Sequence, residues 1–185
     1  MTPTQRTLAE LRKLGYLAAV VEIAGVSALR VSLSRSKIIL LDVTDVWALE
    51  GLRWTASRQR GEWAVTRPIV GPPRSRERLS RLLMGHPVRQ LVDHRNGDTF
   101  DNRRINLRVC DHVQNTANTR GRGGSSKFKG VHWHRGAGKW TAAIRHAGYF
   151  RHLGLFVDEV AAARAYDDAA AFLFGAFARP NLGDG

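Results

Sequence analysis

The sequence LVDHRNGD at residues 91–98, followed by DNRRINLR at residues 101–108, is the densest run of polar and ionisable side chains in the chain. Apolar residues at its two ends predict two strands, and the polar residues around Gly97 predict the loop between them. Asp111 then has the position of a helix N-cap, with Gln114 three residues later as in a capping box. The stretch therefore predicts a β-hairpin followed by a helix that carries Asn115 in its first turns.

These residue types suit the hydrolysis of a phosphodiester bond. That reaction needs a base that takes a proton from water, a cation that neutralises the developing charge, and a rigid frame. An unperturbed imidazole has a pKa of about 6.5, so His94 is the candidate base. Asp93 and Asn115 offer oxygen ligands to Mg²⁺ or Mn²⁺ and leave further coordination positions to water and phosphate. Asn106 is placed to tie the loop back onto the hairpin.

The spacing of His94, Asn106 and Asn115 resembles that of the HNH (ββα-metal) endonucleases, in particular those of the phage and intron homing type. The resemblance implies an α+β fold with a ββα-metal core and hydrolysis of DNA. It makes His94 the general base, Asp93 and Asn115 the metal ligands, and Asn106 the residue that orients the loop. Asn115 stands where the family name expects a histidine, a replacement common in the homing branch. Ser80 stands where relatives often carry an upstream histidine.

The composition predicts a polyanionic partner. Lys and Arg number 29 against 16 Asp and Glu, a formal net charge of +13 that favours nucleic acid over an anionic membrane surface. The chain has no apolar run long enough for a membrane span and no signal-peptide pattern at its N-terminus. We therefore expect a protein of the cytoplasm, in a bacterium or a phage-infected host. Cys110 is the only cysteine, which excludes an internal disulfide and a multi-cysteine zinc cluster.

The C-terminal region carries a directed positive charge. Residues 112–157 contain eight Lys and Arg and no Asp or Glu, a pattern that predicts phosphate binding with a strong salt dependence. Three strands are predicted at 128–133, 139–146 and 149–153. A helix capped by Asp158 follows and ends at Gly175. The predicted inward face of that helix consists of Val160, Ala163, Tyr166, Ala170 and Leu173.

Several separate motifs in residues 127–182 resemble the apetala-two/ERF DNA-binding domain of plant transcription factors and phage HNH enzymes. They are KGV at 129–131, KWTAAIR at 139–145, LGLF at 153–156 and AAARAYDDAA at 161–170. The resemblance implies a three-stranded antiparallel sheet that packs on one helix and binds duplex DNA. His132 and His134 stand where the plant proteins typically have arginine, so DNA binding transfers but sequence preference does not.

The sequence is thus divided into four parts. Residues 1–36 form an N-terminal segment of unassigned role, 37–120 an HNH endonuclease domain, 121–126 a glycine-rich linker, and 127–185 an apetala-two/ERF-like domain. Within the second part, a strand is predicted at 37–43, a strand or hairpin at 54–65 and a helix at 76–84. A monomer is expected. The residues expected to contact duplex DNA are Arg103, Arg104, Arg108, Arg120, Arg122, Lys127, Lys129, His132, His134, Lys139, Trp140, Arg145 and Arg151.

Two alternatives remain open at this point. A DNA-binding regulator with a decayed nuclease core would have the same charge and the same C-terminal motifs, and Ser80 is the feature that favours it. An RNA-binding protein is a third possibility, because a basic sheet with exposed aromatic side chains can stack on bases.

Overall fold

The computed structural model describes residues 3–51, 53–59, 61–71, 75–121 and 123–183. The fold is mixed α+β, with small antiparallel sheets and few helices, so the α+β class expected from the sequence is confirmed. The chain forms two compact units, Met1–Val109 and Cys110–Gly185. None of the helices in the described ranges combines the length and the apolar character required to cross a bilayer.

The first unit begins with a helix and a three-stranded antiparallel meander. These elements are α1 (Pro3–Lys13), β1 (Leu17–Ile23), β2 (Val26–Ser32) and β3 (Ile38–Asp42). The strand order is β1-β2-β3. Leu11 of α1 is fully buried together with Leu29, Ile39 and Leu41 of the sheet. Burial of these apolar side chains is the main stabilising contribution of this half of the unit.

A second sheet and a hairpin complete the first unit. Their elements are β4 (Thr55–Gln59), β5 (Glu62–Pro68), β6 (Arg76–Arg78), α2 (Leu79–Leu83), β7 (Leu91–His94) and β8 (Leu107–Cys110). Strands β4, β5 and β6 form one antiparallel sheet, and β7 pairs with β8. The segment predicted as a strand or a hairpin at 54–65 is a hairpin, formed by β4 and β5. The helix predicted at 76–84 begins only at Leu79, because residues 76–78 pair with β5 instead.

The loop between β7 and β8 is fixed to the first sheet. The amide of Leu40 in β3 donates to the carbonyl of Phe100 (3.0 Å), and the amide of Asn102 donates to the carbonyl of Leu40 (2.8 Å). Leu40 and Asp101 thereby form a parallel bridge. The polar loop therefore gains a rigid support from a strand about sixty residues earlier in the chain.

The second unit contains a short helix, a three-stranded sheet and a long helix. Its elements are α3 (His112–Ala117), β9 (Val131–His134), β10 (Lys139–His146), β11 (Tyr149–Phe156) and α4 (Glu159–Phe174). The sheet is antiparallel in the order β11-β10-β9. Helix α4 packs on it through Ala162, Ala163 and Tyr166. All three predicted strands are present, but β9 begins at Val131 rather than at residue 128, and β11 continues to Phe156 rather than ending at residue 153. The cap of α4 is confirmed, since the Asp158 carboxylate accepts the Ala161 amide at 2.7 Å.

Gly130 makes the close contact between α4 and the sheet possible. Its φ is +73°, and a Cβ at this position would lie 2.1 Å from Cδ2 of Tyr166 and 2.5 Å from the carbonyl oxygen of Ala143. A larger residue would have to displace a buried ring and a strand carbonyl. The glycine of the KGV motif is therefore required by packing and by backbone conformation.

Part of the predicted linker is attached to the second unit. Ser126 is buried and its hydroxyl donates to Glu159 at 2.7 Å, while Ser125 accepts the backbone amide of Trp133 at 2.8 Å. In the first unit, β2 pairs with β3, so part of the N-terminal segment shares a sheet with residues 38–42. The functional domain boundaries given by the sequence stay predictions.

Candidate functional site

Asn106 closes the polar loop of the first unit. Its Oδ1 accepts the backbone amide of Asn96 (3.0 Å), and its Nδ2 donates to Asn96 Oδ1 (3.0 Å) and to the carbonyl of Asp101 (2.7 Å). Its backbone carbonyl accepts the amide of Arg95 at 2.9 Å. The side chain is buried, so these bonds satisfy an amide that water does not reach. The loop that follows His94 is held in one conformation as a result.

His94 stands at the end of β7, partly buried above this loop. Burial lowers its pKa below the ordinary value of 6.5 and outweighs a hydrogen bond that the ring donates to Asn102 and the charges of nearby aspartates, which raise it. The imidazole is therefore mostly neutral at neutral pH. A neutral ring has one nitrogen lone pair with which to accept a proton.

Asn102 determines which ring nitrogen of His94 carries that lone pair. Asn102 is 1% exposed, and its Nδ2 donates to the carbonyl of Thr99 at 3.2 Å, which fixes the orientation of the amide. Its Oδ1 then faces His94 Nε2 at 3.4 Å. Because a carboxamide oxygen only accepts, the proton of the neutral ring belongs on Nε2. Nδ1 is left as the basic atom. Asn102 was not among the site residues predicted from the sequence, although it lies in the same polar run.

A small cleft of about 40 Å³ lies against His94, large enough for a water molecule. Strand β5 supplies one wall, and β6, α2 and the polar loop supply the rest. Ser80, the residue noted for standing where relatives often have a histidine, is part of this lining and is buried. The residues that line the cleft are Glu62, Trp63, Ala64, Val65, Arg78, Ser80, His94, Thr99 and Asn102.

Asp93, the predicted metal ligand beside His94, is paired with Arg108. Arg108 Nε and Nη2 both lie 2.8 Å from Asp93 Oδ2, and the side chains of Arg108 and Asp93 are 10% and 9% exposed. A buried carboxylate needs an opposite charge or several donors, and Arg108 meets that need. The carboxylate is the donor type that a hard divalent cation prefers. Arg108 would compete with such a cation for Oδ2.

Arg103 and Arg104 also have carboxylate partners within the protein. Arg103 makes two contacts to Asp101, Nε to Oδ1 at 2.8 Å and Nη2 to Oδ2 at 2.7 Å. Burial opposes ionisation of Asp101, but the bonds from Arg103 lower its pKa below the ordinary value. Arg104 makes two contacts to buried Asp45, at 2.9 and 2.7 Å. The contacts of these arginines with DNA stay predictions, and each guanidinium has a structural role besides.

Asn115, the second predicted metal ligand, belongs to the second unit. It lies half-buried in α3, whose N-terminus has the predicted capping box between Asp111 and Gln114. Its Oδ1 is 4.0 Å from the thiol sulfur of Cys110. Within the described ranges, no group of three or more His, Cys, Asp and Glu side chains is placed to hold a metal ion. That set does not include asparagine, so Mg²⁺ at Asp93 and Asn115 stays a prediction.

In the second unit, the side of the sheet turned away from α4 carries several of the predicted DNA contacts. Side chains alternate along β10, and Ala142 and Ile144 pack toward α4, so Lys139 and Arg145 lie on the other side. His134 pairs with Lys139 and His132 with Thr141, which places both histidines on that side too. We call it the open face. The side chains of Lys139, Arg145, His132 and His134 are all exposed.

The other predicted contacts of this unit lie elsewhere. Lys129 is half-buried, and its Nζ donates to the carbonyls of Thr116 (2.7 Å) and Ala117 (2.8 Å) at the end of α3. Burial, together with the charge of Arg179, lowers the pKa of Lys129 to about 8. Trp140 packs with the core on the α4 side of the sheet. Arg151 is the cross-strand partner of Ile144, which packs toward α4 as well.

Arg120 and Lys127 are the remaining described members of the predicted set. Lys127 and Arg120 are both exposed, and the Lys127 ammonium lies 5.1 Å from the ring centre of Phe128. Arg122 lies outside the described residues. Compared with models of known protein families, with curated proteins and with solved structures, the chain matches none. Its function is therefore inferred from the residues and their geometry.

Proposed function

We propose that this chain is a metal-dependent endonuclease that hydrolyses phosphodiester bonds in duplex DNA. The observation that carries the proposal is the setting of His94, a partly buried imidazole with a lowered pKa whose Nε2 faces the oxygen of Asn102. This side chain stands at a closed polar loop beside a small cleft. A neutral, oriented imidazole of this kind is suited to general base catalysis.

In the proposed reaction, Nδ1 of His94 takes a proton from water, and the water oxygen attacks the phosphorus of the DNA backbone. The bond from phosphorus to the 3′ oxygen breaks, and the departing oxygen takes a proton from solvent. The products are a 5′-phosphate and a 3′-hydroxyl, as the resemblance to HNH enzymes implies. Asn102 holds the ring, and Asn106 holds the loop, through both steps.

Asp93 and Asn115 would hold a divalent cation, with Mg²⁺ or Mn²⁺ as the candidates. Both side chains offer oxygen donors, which fits a hard cation, and the cation would neutralise charge on the phosphate and on the departing oxygen. Arg108 opposes the binding of a cation, because it already neutralises Asp93. Binding of the cation therefore has to be strong enough to share or displace this contact.

The second unit would hold the DNA. Lys139 and Arg145 share the open face with His132 and His134, and residues 112–157 contain no acidic side chain. Phosphate binding through released counterions follows from such a charge distribution. We therefore propose duplex DNA as the partner of both units.

The proposal is tested by incubating the purified protein with supercoiled plasmid in Mg²⁺, in Mn²⁺ and in EDTA. We expect nicked or linear DNA with either metal and none in EDTA. DNA ligase should reseal the nicks, because that enzyme requires a 5′-phosphate and a 3′-hydroxyl. Intact plasmid with both metals would contradict the proposal.

A DNA-binding regulator without nuclease activity is the second candidate. Two observations favour it: Ser80 lines the cleft beside His94, and Arg108 occupies the carboxylate of Asp93. This candidate predicts a shift of linear duplex DNA in a gel and no nicking with any divalent metal. The plasmid experiment therefore separates the two candidates.

A further inference from the structure

Several arginines of the first unit differ in the charge of their hydrogen-bond partners. Arg67 pairs with Glu77, and Arg103, Arg104 and Arg108 pair with Asp101, Asp45 and Asp93. The hydrogen bonds of Arg76 and Arg78 go to neutral oxygens instead. Within the described part of the chain, neither of these two arginines forms an ion pair. Their positive charges are therefore uncompensated.

Arg76 and Arg78 lie on the same side of the second sheet. They are two residues apart in β6, so their side chains point the same way, about 6.5 Å apart along the strand. Arg78 pairs with Thr66, and Thr66 pairs with Thr55, which places these hydroxyl side chains on that side as well. We call this side the polar face. Among its described residues Glu62 is the only acid, since Glu77 lies on the opposite side with Arg67.

Neutral donors and acceptors hold both guanidinium groups in place. Arg76 Nε donates to Thr66 Oγ1 at 2.7 Å, and its Nη2 donates to Thr55 Oγ1 at 2.8 Å. Arg78 Nε and Nη2 donate to Gln59 Oε1 at 3.1 and 3.0 Å. These bonds hold each guanidinium in one orientation without neutralising its positive charge. An oriented, exposed guanidinium is the preferred protein ligand for a phosphate oxygen.

The polar face leads to the candidate base. Arg78 lines the same cleft as His94 and Asn102. A DNA strand that lies along β6 would therefore bring its phosphates past Arg76 and Arg78 toward that cleft. The sequence predicted a helix at residues 76–78, whereas the strand that they form presents two oriented guanidinium groups.

We propose that the polar face of the second sheet, through Arg76 and Arg78, binds the phosphate backbone of duplex DNA next to the His94 cleft. The position of the cleft as the cutting site rests on the proposed function. Binding by the two arginines does not, and it is measured without cleavage.

The test is the salt dependence of binding of the full chain to a short DNA duplex in EDTA. The duplex carries a fluorescent label, and its anisotropy measures the binding. The slope of log K against log[KCl] becomes shallower by about 0.9 for each phosphate that the protein no longer neutralises. We expect the slope of Arg76→Gln, Arg78→Gln to be shallower than that of the wild type by about 1.8. Arg76→Lys, Arg78→Lys keeps both charges and should keep the slope.

The matched control is Arg12→Gln, Arg30→Gln, which removes two exposed charges from α1 and β2. We expect its slope to equal that of the wild type. Thermal melting of the same samples reports folding. If the double glutamine variant does not fold, Arg78→Gln alone should make the slope shallower by about 0.9.

Three results would overturn the proposal: an unchanged slope in the glutamine variants, an equal change in the control, or stronger binding of the polar face to single-stranded RNA than to duplex DNA. Absence of plasmid cleavage together with the expected slope changes would remove the nuclease and leave this surface standing. Cleavage with unchanged slopes would support the nuclease and remove this DNA-binding surface.

Discussion

Arg108 and Asp93 form a buried ion pair in which two guanidinium nitrogens, Nε and Nη2, both lie 2.8 Å from the same carboxylate oxygen. Arg108→Met leaves the carboxylate buried without this partner. We expect the free energy of unfolding in EDTA to fall by about 3 to 5 kcal/mol, measured by urea denaturation. Asp93→Asn in the same chain should restore most of the stability, because removal of both charges is close to neutral.

Metal binding is tested on the same Arg108→Met variant. If Asp93 is a metal ligand, Mn²⁺ should stabilise the variant more than it stabilises the wild type. At 100 times the Kd of the variant, the gain over the metal-free variant is about 2.7 kcal/mol. Arg95→Met, an exposed change in the neighbouring loop, serves as the control and should respond like the wild type. An equal response of all three proteins to Mn²⁺ would argue against a metal at Asp93.

Arg104 and Asp45 provide a second structural pair, with the Asp45 side chain 3% exposed and that of Arg104 49% exposed. We expect Arg104→Met to lower the free energy of unfolding by about 2 kcal/mol, less than the change at Arg108 because Arg104 is half exposed. The salt slope of DNA binding should stay unchanged. A shallower slope with unchanged stability would instead assign Arg104 to the DNA contacts.

The pH dependence of the enzyme follows from the lowered pKa of His94. Only the neutral ring accepts a proton, so the single-turnover cleavage rate should rise with pH and be half-maximal at a pH below about 6.5, the ordinary pKa of histidine. Near that pH the unfolded chain binds the proton more readily than the folded chain does. The free energy of unfolding should therefore fall as the pH drops from about 6.5 through the pKa of folded His94.

Asn102→Asp adds a control to this profile. A carboxylate beside Nε2 favours the imidazolium, so the midpoint of the rate profile should move to higher pH, together with the His94 titration followed by NMR. A half-maximal rate above about pH 6.5 in the wild type would contradict the lowered pKa of His94. An NMR titration of His94 that is unchanged by Asn102→Asp would contradict the assigned orientation of the ring. The NMR result holds whether or not the protein cuts DNA.

Lys139 and Lys129 should behave differently in the second unit, although both were predicted to contact DNA. Lys139→Gln with Arg145→Gln removes two charges from the open face and should reduce the salt slope by about 1.8. Lys129→Gln removes an ammonium that binds the carbonyls of Thr116 and Ala117, so the expected result is lower stability with an unchanged slope. A larger slope change for Lys129 than for the pair would contradict this assignment.

Elements with strong local signals were predictable from the sequence. The capping box of Asp111 and Gln114, and the cap at Asp158, depend on residues three positions apart, so they are visible in the chain itself. The face of α4 was predicted less well. Val160 was expected inward but is 42% exposed, while Ala162 is fully buried, because small side chains allow the helix to approach the sheet closely.

Long-range pairing was not predictable. Arg104 was predicted to contact DNA, and nothing near it in the sequence shows that Asp45, fifty-nine residues earlier, is its partner in the fold. Strand β6 consists of the charged sequence RER and forms because β5 offers an edge. The candidate base and the loop residue were chosen from local spacing, whereas the partner of the base, Asn102, depends on a loop conformation fixed by β3.

The central claim, that His94 is the base of a DNA-cutting reaction, is tested most directly by the initial rate of plasmid nicking in Mg²⁺ for His94→Ala. His86→Asn is the matched control, since His86 is exposed and has a φ of +53° that asparagine tolerates. We predict that His94→Ala nicks DNA at least about 100 times more slowly than the wild type, while His86→Asn keeps the wild-type rate. Equal rates for His94→Ala and the wild type would contradict the account.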